Sequence, residues 1–293
     1  MTVSTSRAQL TPPRRPWRTR AAVLLASMIT LGSVSPAGGD AGANLLPTRE
    51  RARAVDPSGV PMPVGDLPGW TQTFRDDFST DVPLGRFPDA VGRTWSAYAE
   101  GWRDTSKNGT YSPRRVISVH DGVMDLHVRT EGGVHLVAAP SPRLQGPGTQ
   151  QGQLYGRYAV RYRADPIRGY KIAWLLWPDS EKWSDGEINF PEGDLGGHAW
   201  AFMHHRGRPT RQDWFASRAR LADWHTAVIE WTPRRVRFLL DGVVMGTSRD
   251  PDLIPRVPMH WVLQTETSLD GRGPAASASG HIQIDWVAAY RRK

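Results

Sequence analysis

Trp174-Leu-Leu-Trp177-Pro-Asp-Ser-Glu-Lys-Trp183-Ser-Asp-Gly-Glu187-Ile-Asn189-Phe-Pro-Glu192-Gly-Asp194 crowds carboxylates and tryptophans into one strand and its approach. Side chains alternate faces along a strand, so Glu187 and Asn189 share a face while Glu192, five residues on from Glu187, points the other way. One extra residue in a β-bulge reverses that parity and returns Glu192 to the face of Glu187. Pro191 fits such a bulge, because a residue without an N–H is tolerated chiefly at edges and irregularities of a sheet.

Two carboxyls about 5 Å apart on one face suit glycoside hydrolysis with retention, in which one attacks the anomeric carbon and the other protonates the leaving oxygen. Their mutual repulsion divides the labour: ionising one disfavours ionising the other, which keeps its proton for the departing sugar. A random pair of glutamates at this spacing does no more than solvate a turn; the neighbouring rings point to a site. Trp numbers 13 in 293 residues, and a flat ring with one polar edge is costly to hide, so several should line an open groove.

Outward from this stretch the chain reads as all-β. Short runs rich in Val, Ile, Tyr and Trp begin at Trp70, separated by Gly, Pro and Asp-Gly pairs, with no sustained helical period. Asp121-Gly122 and Asp241-Gly242 each sit between two such runs, where a two-residue hairpin turn requires positive φ. Tyr158, Val160 and Tyr162 alternate with Ala159, Arg161 and Arg163, which predicts a strand with one buried and one wet face.

Residues 1–37 carry Arg7, Arg14, Arg15, Arg18 and Arg20 with no acid, then the apolar stretch Ala21 to Val34 and small residues at Ser35-Pro36-Ala37 and Ala41-Gly42-Ala43. That order reads as a secretory signal, and its apolar part is too short to span a bilayer. The whole chain has a net charge of +8; taking those five from 37 basic residues leaves 32 against 29 acids, about +3, which removes most of the case for nucleic acid. Residues 38–69 read as a disordered linker by composition, and 70–293 as the folded domain. Cys is absent, excluding disulfides, thiol nucleophiles and Cys-ligated zinc. No Gly-x-Ser-x-Gly, His-Glu-x-x-His or phosphate loop is present.

With these residues in view, the chain resembles glycoside hydrolase family 16, in the bulged subgroup with the pattern Glu-x-Asp-x-x-Glu that includes laminarinases and agarases. Phe74-Arg-Asp-Asp-Phe78, Leu154 to Arg161, Trp224 to Pro233 leading to Phe238 to Gly242, and Ile284 to Val287 with Tyr290 resemble that family's other strands. The resemblance implies a curved two-sheet β-sandwich, a concanavalin-like jelly roll with a concave groove. It makes Glu187 the nucleophile, Glu192 the general acid and base, Trp183 a sugar platform and His204 a cleft-lining histidine. Gln264 and Glu266 face the cleft on a late strand, and Trp174 and Trp177 are candidate sugar contacts. Asn189 stands where the family has Asp; an amide there can donate N–H to the nucleophile Glu187 but carries no proton. The implied function is a secreted endo-acting hydrolase of a β-linked polysaccharide, glucan or galactan. It is expected to be a monomer with no cofactor, no metal, no nucleic acid and no membrane insertion after signal cleavage. The alternatives are a lectin-like sandwich that holds glycan without cutting it and a basic, aromatic nucleic-acid binder.

Overall fold

A computed structural model describes residues 56–146 and 151–293. The signal sequence expected at 1–37 and residues 38–55 of the linker expected at 38–69 lie outside the described residues. In chain order the strands are β1 (Trp70–Asp76), β2 (Trp95–Ala97), β3 (Gly109–Tyr111), β4 (Ile117–His120), β5 (Val123–Glu131), β6 (Val134–Val137), β7 (Pro140–Pro142), β8 (Gly156–Ala164) and β9 (Tyr170–Pro178). They continue as β10 (Glu187–Asp194), β11 (His198–His205), β12 (Arg208–Arg220), β13 (His225–Thr232), β14 (Arg235–Leu240), β15 (Val243–Ser248), β16 (Met259–Thr267) and β17 (Ser279–Arg292).

Two sheets form the sandwich. The larger runs β15-β14-β13-β8-β17-β5-β6-β3, with β1 added on β17 and β4 on β5; the other has the order β12-β11-β10-β9-β16. Both Asp-Gly turns are hairpins with positive φ at each central residue: 52° and 76° at Asp121 and Gly122, 50° and 80° at Asp241 and Gly242. That geometry matches the twist of the strands they join.

The core fills the space between the sheets. From the five-stranded sheet come Ile172, Trp174 and Leu176, Ile188 and Phe190, Ala201 and Met203, and Trp261 and Leu263; Tyr158, Tyr162, Ile229, Trp231, Val287 and Ala289 come from the other, all buried. Trp174 meets Tyr162 edge to face at 5.0 Å, and Trp261 meets Tyr158 at 5.5 Å, so aromatic pairs tie the layers together.

The outer face of β8 is drier than simple alternation predicts. Asp56 to Gly69, read in the sequence as the end of the linker, lies on that sheet: Val60 O accepts Trp286 Nε1–H at 2.9 Å, and Arg161 Nε donates to Ser58 Oγ at 3.0 Å. Met62 packs against Ala159, Val228, Leu239 and Trp286. A polar, proline-rich segment can therefore be seated by a few long-range contacts although it has no alternating pattern of its own.

Candidate active site

Strand β10 is irregular where the sequence requires it. On β11, Glu187 pairs with His204, Asn189 with Phe202 and Glu192 with Trp200; on β9, Asn189 pairs with Leu175 and Glu192 with Ala173. Three steps along β10 thus match two on each neighbour, which is one extra residue between Asn189 and Glu192. The Phe190–Pro191 peptide within this bulge is cis. Glu187, Asn189 and Glu192 consequently form one row on the face turned away from the core.

Register extends that face across the sheet. Lys171, Ala173, Leu175 and Trp177 lie on it from β9, and their partners Glu266, Gln264, Val262 and His260 from β16. Trp200, Phe202 and His204 continue it on β11, with Trp214 and Gln212 opposite the last two on β12. Trp200 and Phe202 stack at 6.4 Å, and Trp200 lies 5.9 Å from Trp214.

Gly186 brings the chain into β10 at φ 92°, and a Cβ there would stand 2.9 Å from His204 O, so the approach accommodates no side chain. The single turn before it, Trp183–Asp185, points the indole back at the strand: Trp183 Nε1 donates to Glu187 Oε2 at 2.8 Å. His204 lies 5.7 Å from that ring and is buried, with Nδ1 donating to Pro209 O at 2.9 Å.

Glu192 has a different environment. Its Oε2 accepts the Asn189 amide at 2.9 Å, and its Oε1 accepts Lys171 Nζ at 2.8 Å. Lys171 Nζ is also 3.2 Å from Glu266 Oε1, and the three charged side chains are almost wholly hidden. Burial pushes the Glu266 carboxyl above its ordinary value, against the opposing pull of the Lys171 ammonium. Burial, followed by the charges of Glu181, Glu187 and Glu266, pushes the Tyr98 hydroxyl well up, so it stays a neutral donor over this part of the face.

The site residues read from the sequence divide accordingly. Glu187, Asn189, Glu192, Trp183, Trp177, His204, Gln264 and Glu266 share the concave face. Trp174 does not. It is fully buried on the opposite side of β9 against Tyr162, because position 174 has the parity of Ile172 and Leu176. Asn189 serves Glu192 rather than the expected Glu187, which instead accepts the Trp183 indole N–H; the bulge lies between Asn189 and Glu192 and turns the amide toward the latter. Lys171 and Tyr98 were missed. A lysine in the run Tyr170 to Leu176, otherwise apolar, was the available signal, since lysine is almost never fully buried without a partner.

A bulged strand carrying two glutamates on the concave side of a sandwich is the arrangement that the family comparison bears on. The sequence profile of glycosyl hydrolases family 16 matches residues 105–288. The chain belongs to this glycoside hydrolase family. No curated protein sequence matches it. Among solved structures, SCLam, a non-specific endo-β-1,3(4)-glucanase from the same family, has a TM-score of 0.63 at 19% identity, covering 79% of this chain and 95% of its own. The laminarinase from Rhodothermus marinus has 0.62 at 21%, covering 78% and 99%. A β-1,3-glucanase from Mycobacterium marinum has 0.58 at 20%, covering 74% and 98%. At these identities the likeness concerns the fold, a family 16 sandwich.

Proposed function

We propose that this glycoside hydrolase is a secreted, endo-acting, retaining hydrolase of a β-linked glucan. The observation that carries the proposal is the bulge that returns Glu192 to the row of Glu187, with Asn189 between them. Glu187, oriented through Trp183, attacks the anomeric carbon as the carbon–oxygen bond to the leaving sugar breaks, and Glu192 gives that oxygen its proton. In the second half Glu192 takes a proton from water, which displaces Glu187 from the anomeric carbon. Trp177 and the Trp200, Phe202 and Trp214 group supply flat apolar surface for sugar faces on either side. The glucanase and laminarinase names of the structural neighbours support glucan over galactan, and the order of basic, apolar and small residues at the front of the chain supports export.

The experiment is a screen for new reducing ends on soluble β-1,3-glucan, mixed-linkage glucan, agar and carrageenan, with Glu187→Ala as control. Cleavage of a glucan that the control abolishes is expected; galactan cleavage alone overturns the substrate assignment. The ion pair that holds Glu192 to Lys171 favours a second reading, a sandwich that holds glucan without cutting it. Binding of glucan with no new reducing ends selects that one.

A further inference from the structure

Lys171, Glu192 and Glu266 place three ionisable groups within one small buried volume, with side-chain exposures of 1%, 7% and 3%. Two carboxylates against one ammonium would leave an uncompensated negative charge in a poorly solvated place, which is costly. Besides burial, the Lys171 ammonium and a side-chain hydrogen bond from Thr105 act on the Glu266 carboxyl to hold it down, and the charges of Asp104 and Glu192 push it up. Glu266 in turn acts on the hydroxyls of Tyr98 and Tyr111. Asn189, which stands in the same row and donates its amide to Glu192, cannot carry a proton.

We propose that Lys171 and Glu266 are positioning residues that set the proton occupancy of Glu192: Lys171 pairs with whichever carboxylate is ionised, so that Glu192 and Glu266 hold one carboxyl proton between them. With Glu266 ionised and paired to Lys171, Glu192 keeps the proton that the leaving oxygen needs. After that proton is given up, Lys171 stabilises the Glu192 carboxylate until water returns one. The catalytic consequence rests on the proposed hydrolase activity; the shared proton does not.

The test is Glu266→Gln, nearly the same size and a mimic of a permanently protonated Glu266. In protein with 13C-labelled glutamate, the Glu192 carboxyl signal, assigned by its loss in Glu192→Gln, is followed against pH. Two coupled steps are expected in the natural protein, and one step lower by about one unit or more in Glu266→Gln, where Lys171 serves Glu192 alone. The alkaline limb of kcat/KM on glucan should move down with it. Above that limb the loss is roughly tenfold per unit, while an aryl glycoside whose leaving group needs no proton changes little. Lys171→Met, if it folds, should move the midpoint the other way. A Glu192 midpoint unmoved by Glu266→Gln overturns the proposal. A shifted midpoint in a chain that cuts no polysaccharide supports the shared proton and refutes the hydrolase assignment, so the two fail separately.

Discussion

Replacing Trp183 by Phe removes one hydrogen bond and keeps an apolar ring, which isolates what the indole N–H does for Glu187. The bond is 2.8 Å long and ends on a carboxylate oxygen. A hydrogen bond to a charged group is worth about 1.5–3 kcal/mol, and about 1.36 kcal/mol is tenfold in rate. Glu187 is partly exposed, so solvent screening places the effect at the low end, about tenfold. The indole holds the attacking carboxylate in place, and its loss should lower kcat by about that factor both on the best glucan and on an aryl glycoside whose leaving group needs no proton. kcat and KM of both forms on the two substrates are the assay. An unchanged kcat, with a change confined to KM, would refute this reasoning and leave Trp183 as a sugar platform alone.

Trp174→Ala should lower stability in urea by about 3–5 kcal/mol, because it empties a fully buried site against Tyr162. The milder Trp174→Phe should leave KM for glucan unchanged, and a KM effect would put the ring in the cleft after all. Asn189→Asp removes the amide donor to Glu192 Oε2 and sets a carboxyl in its place; the added negative charge should move the alkaline limb of kcat/KM up. An unmoved limb with a shifted acidic one would mean that residue 189 acts on Glu187. Folded Glu266 holds its proton more tightly than an unfolded glutamate with the ordinary value of 4.5, so its contribution to stability is full below that pH and lost as pH rises through the folded value. Urea midpoints of the natural protein should thus fall relative to Glu266→Gln as pH rises above 4.5, and parallel curves would contradict the raised value.

Local features of the fold were legible because each rests on local chemistry. Asp121-Gly122 and Asp241-Gly242 accept positive φ wherever they occur, and Pro191 between two glutamates marks an interrupted ladder. Alternation reversed once at a bulge is why Glu187 and Glu192 could be placed on one face from the sequence alone. Other features depend on residues far apart in the chain. Trp174 and Trp177 look alike in sequence, yet one faces Tyr162 on another sheet and the other faces the groove beside His260. Lys171 finds Glu192 and Glu266 only through two strand pairings, each with its own register. The seat of residues 56–69 depends on Asp285 and Trp286, more than two hundred residues away. The direction of the Asn189 amide is set inside the bulge itself, where alternation no longer determines where a side chain points.

The most direct measurement of the central claim is proton NMR of the first sugar ends released from a soluble β-glucan, recorded before mutarotation scrambles them. A double displacement by Glu187 and Glu192 predicts that β-anomeric ends accumulate first and are absent with Glu187→Ala. Initial release of α-anomeric ends, or β ends that persist undiminished in Glu187→Ala, would contradict it.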